Sequence, residues 1–126
     1  MNIPENLKYT KEHEWLKVEG NIGTIGITDF AQSELGDIVY IDIHPDITEI
    51  TIGKSFGTIE AVKTVSDMYA PVTGKVLELN QKLNDEPQLV NSDPYGEGWI
   101  IKIELTDLSQ LNDLLDAGAY KTQVGQ

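Results

Sequence analysis

The sequence predicts a small, mainly β domain closed as a barrel or sandwich, and three observations predict it. Short runs that alternate apolar and polar residues recur along the chain. Turn residues such as Gly, Pro, Asn and Asp separate them at close intervals. Only two stretches carry helical signals, so helix is a minor component. At 126 residues the chain is the size of one domain, since domains commonly run to about 100–150 residues.

Taken in order, residues 14–19 form a first strand, Gly20-Asn21 a turn, and residues 22–27 its partner. Thr28 is placed to cap a helix over 29–35, with Gly36 as its stop. Residues 37–44 read as a half-buried strand with Val39, Ile41 and Ile43 on one face. Pro45-Asp46 closes that strand, and a weak strand near 49–52 ends at Gly53-Lys54. Extended structure resumes over 55–60, 68–70, 75–79 and 99–105, where Trp99, Ile101, Ile103 and Leu105 alternate cleanly. The turn-rich segment 91–98 reads as a surface loop. Thr106 is expected to cap a helix over 107–115 that packs Leu108, Leu111, Leu114 and Leu115 on the sheet. A final turn or two follows over 117–123. The expected organisation is one domain over 1–126, with a core near 8–105 and a helical extension near 106–123.

Charge narrows the function. Asp and Glu number 21 against 9 Lys and no Arg, for a net charge of −12. Phosphate binding needs a cationic face, so nucleic acid and anionic membrane are excluded as partners. An acidic surface instead steers the chain toward basic patches on proteins. The absence of cysteine rules out disulfides, thiolate metal sites and a Cys nucleophile. With His13 and His44 as the only histidines, a metal centre would rely on carboxylates, and neither has a nucleophile nearby in sequence. The N-terminal residues show no basic region followed by an apolar run, so a cytoplasmic protein is expected.

One segment invites chemistry. Residues 56–71 hold two extended runs around Val62-Lys63, so a hairpin with Lys63 at its tip is expected. A lysine there is open to a modifying enzyme, and amide formation would turn it into an uncharged tether. Spacing alone fits a solvated surface lysine as well.

The residues around that lysine form an ordered set. Glu60-Ala61-Val62-Lys63, Ser66-Asp67 and Tyr69-Ala70-Pro71 resemble the lipoylation hairpin of glycine cleavage system H proteins. In order, Lys8-Tyr9, His13-Glu14-Trp15, Thr24 to Asp29, Ala31-Gln32, Leu35-Gly36-Asp37, Gly74, Glu78-Leu79-Asn80, Leu89 to Tyr95 and Gly98-Trp99 are similar to that family too. The resemblance runs from Lys8 to Tyr120. It implies a barrel-sandwich hybrid of two small antiparallel sheets, of the lipoyl/biotinyl type, with a short inserted helix and a C-terminal helix.

The same resemblance implies a non-catalytic carrier with lipoate on Lys63 as N6-lipoyllysine. A PLP-dependent glycine decarboxylase (P protein) would load the aminomethyl group of glycine. A tetrahydrofolate-dependent aminomethyltransferase (T protein) would unload it, and dihydrolipoamide dehydrogenase (L protein) would reoxidise the dithiol. A lipoate ligase or a lipoyl/octanoyl transferase would attach the arm, and a monomer is implied. By resemblance, the loaded arm rests in a cleft lined by Glu14 and Asp67, with Glu12 at a position that commonly holds a small polar residue. Carboxylates there would hold a cationic amine by charge-assisted hydrogen bonds. The segment around His44-Pro45-Asp46 departs from the family pattern, which leaves partner docking there open.

Four rivals stand beside this reading. A biotin acceptor would flank its lysine with methionines, and a 2-oxoacid dehydrogenase lipoyl domain would carry an acid before it; here Val62 and Thr64 flank Lys63. An unmodified β-barrel interaction module, and a relay protein that hands lipoyl groups to other carriers, share the same hairpin and stay open.

Overall fold

A computed structural model describes residues 1–125. Its elements in chain order are β1 (Lys8–Tyr9), β2 (Glu14–Glu19), β3 (Ile22–Ile27), α1 (Asp29–Leu35), β4 (Ile38–Ile43), β5 (Glu49–Ile50) and β6 (Ser55–Ala61). They continue with β7 (Val65–Tyr69), β8 (Gly74–Leu79), α2 (Lys82–Asp85), α3 (Leu89–Ser92), β9 (Ile101–Leu105), a 3₁₀ segment (Leu108–Asp113) and α4 (Ala117–Val124).

The strands form two sheets, ordered β1-β2-β3-β9-β8-β5 and β4-β6-β7. Every pairing is antiparallel, and in β1–β2, β2–β3 and β6–β7 a short turn joins the two strands. Alternation sends Leu16, Ile25, Ile101 and Ile103 from the large sheet and Ile41, Ile59 and Met68 from the small one into a shared core. This is the barrel-sandwich arrangement of two antiparallel sheets. A second cluster joins the two ends of the chain: Ile3, Leu7, Tyr9 and Trp15 pack with Ala117 and Tyr120. Tyr9 and Leu115 exchange a pair of backbone hydrogen bonds, each 2.8 Å, and this ties the C-terminal extension to β1.

Thr28 caps α1 as its sequence suggests: Thr28 Oγ1 accepts from the Ala31 N–H at 3.1 Å. Gly36 ends the helix at φ +79°, a left-handed conformation that costs glycine little. Three expectations need correction. Val39 faces solvent, 52% exposed, because a bulge between Ile38 and Tyr40 shifts the alternation and turns Ile38 inward. The stretch expected as a helix over 107–115 holds instead a 3₁₀ segment, Leu108–Asp113, capped by Asp107, whose carboxylate accepts from the Ser109 N–H, and Leu108 lies on the surface. Trp99 precedes β9 and does not open it. The one-turn helices α2 and α3 and the two-residue β1 are too short to leave a periodic signature in sequence. Among the described residues no helix is long and apolar enough to cross a membrane.

Candidate functional site

The β6–β7 hairpin forms as its turn residues dictate. Glu60 faces Val65 across the ladder, and the Ala61 N–H donates to the Thr64 carbonyl at 2.8 Å, which leaves Val62 and Lys63 as the tip. Both are exposed, Val62 at 76%. The Val62 N–H donates to the Asp37 carbonyl at 2.9 Å, so the tip is fastened to the segment that follows α1. A Cβ on Gly36 would lie 3.4 Å from Lys63 Cε and 3.9 Å from its Nζ. The lysine stem therefore runs over this glycine, and a larger residue would crowd it as well as strain the helix end.

Asn91 supports this platform from beneath. Its Oδ1 accepts from the Ile38 N–H at 2.9 Å, and its Nδ2 donates to the Gly36 carbonyl at 2.9 Å and to Gln32 Oε1 at 3.0 Å. One side chain thus holds the end of α1 and the start of β4 together. Asn91→Ala leaves three partly buried groups without partners and is expected to lower stability by about 2–3 kcal/mol, read as a shift of the urea midpoint. A change below about 0.5 kcal/mol would mean that water replaces the amide fully.

Along β7 the side chains alternate, so Val65, Asp67 and Tyr69 share the face opposite buried Met68. This strip runs from the hairpin tip toward a cavity of about 240 Å³ whose lining includes Thr10, Glu12, Glu14, Tyr69, Gln110 and Asp113. Glu12 and Glu14 are thus brought to one cavity. Asp67 is not among its lining residues; it stands exposed on the strip leading there and accepts from Ser55 Oγ at 3.2 Å.

Glu14 is 3% exposed and fully engaged. Thr10 Oγ1 donates to its Oε1 at 2.6 Å, and the Tyr69 N–H donates to its Oε2 at 3.2 Å. Burial pushes its carboxyl up to about 7, against the pull of those two hydrogen bonds. This carboxylate is therefore poised near neutrality at the base of an open cavity. Asp113 and Gln110 were not legible as site residues in the sequence, because the 3₁₀ segment that brings them to the cavity wall lies far along the chain.

The histidines have structural surroundings. His13 adopts φ +71° just ahead of β2, so it is not in an extended strand beside Glu14. Its Nδ1 lies 2.8 Å from Tyr120 Oη, which is 2.7 Å from Thr28 Oγ1, and burial lowers its pKa. His44 is exposed just after β4. Among the described residues no three His, Asp or Glu side chains gather as a metal site.

Comparison with known proteins identifies the family and agrees with the fold. A family model described as glycine cleavage H-protein matches residues 7–126. The glycine cleavage system H protein of Staphylococcus haemolyticus is 56% identical over 126 residues, covering 100% of both chains. That of Bacteroides thetaiotaomicron is 58% identical over 124 residues, with 98% of each chain covered. The crystal structure of a glycine cleavage system H protein from Mycobacterium marinum superposes with a TM-score of 0.89 at 35% identity, over 98% of this chain and 100% of that one. With a matched model spanning nearly the whole length and relatives this similar end to end, the chain belongs to the glycine cleavage H protein family.

Proposed function

We propose that this chain is the mobile carrier of glycine cleavage, with a lipoyl group in amide linkage to Lys63. The observation that carries the reading is an exposed lysine at a fastened hairpin tip, joined by one strand face to a cavity with a buried carboxylate. The residues fit such a group: the Lys63 stem lies open over Gly36, where a modifying ligase or transferase can reach the amine. When attached, the lipoyl group supplies a dithiolane that takes up the one-carbon unit of glycine and passes it on.

The chain's own residues bind and shelter. Glu12 and Asp67 offer negative charge to a cationic amine at the mouth and along the approach, and such an amine would draw the buried Glu14 carboxyl toward its ionised form. Tyr69 and Leu114 line the same cavity with apolar surface, which thins the water there. The carrier lowers no chemical barrier. It keeps its cargo near each partner at about millimolar effective concentration. The partners in this reading are a PLP-dependent decarboxylase, a folate-dependent aminomethyltransferase and a dihydrolipoamide dehydrogenase. Reconstituted glycine–bicarbonate exchange tests the reading: the lipoylated chain should restore exchange to a cognate decarboxylase. A decarboxylase that gains nothing from it would refute the proposal.

The raised Glu14 carboxyl makes a separate forecast. Its folded value, about 7, lies above the ordinary 4.5, so between those limits the folded state holds more protons than the unfolded one. Stability from this group is complete below about 4.5 and is lost as pH rises through about 7. Glu14→Gln should therefore flatten the decline of urea stability between pH 5 and 8, by about 2 kcal/mol across the range. Parallel pH profiles for the two proteins would show that Glu14 titrates normally.

A further inference from the structure

β4 is an edge strand: β6 covers one side of it, and among the described residues no strand covers the other. The His44 N–H donates to the Phe56 carbonyl across the β4–β6 side at 3.1 Å. Antiparallel alternation then aims the backbone groups of Asp42 and Tyr40 at β6 and those of Ile41 and Ile43 at the uncovered side. That side opens into a groove of about 180 Å³, walled by Tyr40 to Ile43 and, opposite, by Leu79, Asn80, Gln81, Leu83 and Asn84.

The far wall carries amides. Asn80 is committed to the floor, its Nδ2 donating to the Glu97 and Trp99 carbonyls at 2.8 and 2.7 Å. Asn84 Nδ2 donates to Gln81 Oε1 at 2.8 Å. That single bond leaves Gln81 Nε2 and Asn84 Oδ1 with no protein partner among the described residues. A donor and an acceptor side by side match a peptide group, which presents one C=O and one N–H. The groove therefore offers main-chain hydrogen bonds from both walls, with buried Leu83 and Ile100 between them. Asp42 is the one carboxylate side chain in its lining, on a chain of net charge −12.

We infer that this groove binds an extended, lysine- or arginine-bearing segment of a partner protein, which adds to β4 as a further strand. Main-chain pairing along an open edge supplies the affinity, and a cationic side chain beside Asp42 supplies the preference. β4 begins next to Asp37, whose carbonyl holds the hairpin tip through Val62. A partner strapped to this edge is thereby set in a fixed relation to Lys63. The inference concerns the unmodified fold and does not depend on what the lysine carries.

The test titrates the full ¹⁵N-labelled chain with two capped pentapeptides, Val-Lys-Val-Lys-Val and Val-Glu-Val-Glu-Val. Saturating amide shifts at Ile41 and Ile43 and side-chain shifts at Gln81 and Asn84 are expected with the lysine peptide. The glutamate peptide should bind at least threefold more weakly, and so should the lysine peptide with Asp42→Asn. N-methylation of the lysine peptide at the amides that face β4 should remove binding with the protein unchanged. The inference is overturned if Ile41 and Ile43 stay unmoved, if shifts spread over the acidic surface without saturation, if the two peptides bind alike, or if the N-methylated peptide binds as well as its parent.

Discussion

Lys63→Arg is expected to abolish the lipoyl mass increment and all carrier turnover while leaving stability within about 0.5 kcal/mol of wild type. The guanidinium keeps the charge and much of the length of the ammonium, but it is a poor nucleophile at neutral pH and does not accept the acyl group. Among the described residues Lys63 makes no ion pair, and its exposed side chain runs over Gly36, so folding has no stake in it. The check is intact mass after coexpression with lipoate and a lipoate ligase, alongside the denaturation curve. An increment that survives in the variant would move the attachment to another of the 9 lysines. A wild-type chain that gains no mass under those conditions would remove the carrier reading altogether.

Trp15→Ala should produce the largest loss of stability from any single side chain, about 3–5 kcal/mol. The indole is 1% exposed, and its Nε1 donates to the Pro94 carbonyl at 3.0 Å. Its ring covers Gly26 so closely that a Cβ there would come within 2.7 Å of it, and it lies 6.0 Å from the ring of Tyr95. Truncation leaves a void between β2 and the Asn91–Tyr95 segment and strands a carbonyl. Because Trp15 follows Glu14 on β2, the damage should also loosen the cavity floor. A urea midpoint close to wild type would show that the second cluster collapses around the gap.

Much of this architecture was legible from the chain because its strands are punctuated. Gly20-Asn21 marks the β2–β3 hairpin, Gly36 the end of α1, and Gly53-Lys54 and the Pro71–Gly74 run the places where the chain passes from one sheet to the other; the alternation in residues 101–105 fixes which face is buried. Thr28 announced its helix through a capping bond made within three residues. What stayed hidden depends on distance along the chain or on local irregularity. The bulge at Val39 erases the period-2 pattern at the place where sequence reading trusts it most. The leucine stripe in 107–115 suggested a regular helix, yet Asp107 captures the Ser109 N–H and a tighter 3₁₀ turn follows. Asn91 looked like a turn residue, and its partners Gly36 and Ile38 lie more than fifty positions away. The hairpin lysine could be named from neighbours in sequence, whereas the cavity at the far end of β7 is assembled from residues 9 to 115.

The bond from Val62 to Asp37 has one further implication. A mast stepped firmly into the hull does not sway, so any swing belongs to the rigging alone. With the tip of the ribbon pinned, the reach of a cargo that Lys63 carries in the proposed function would be a sphere drawn about one fixed point. Every enzyme that exchanged such a cargo would then have to open its own entrance inside the same radius, however different its chemistry.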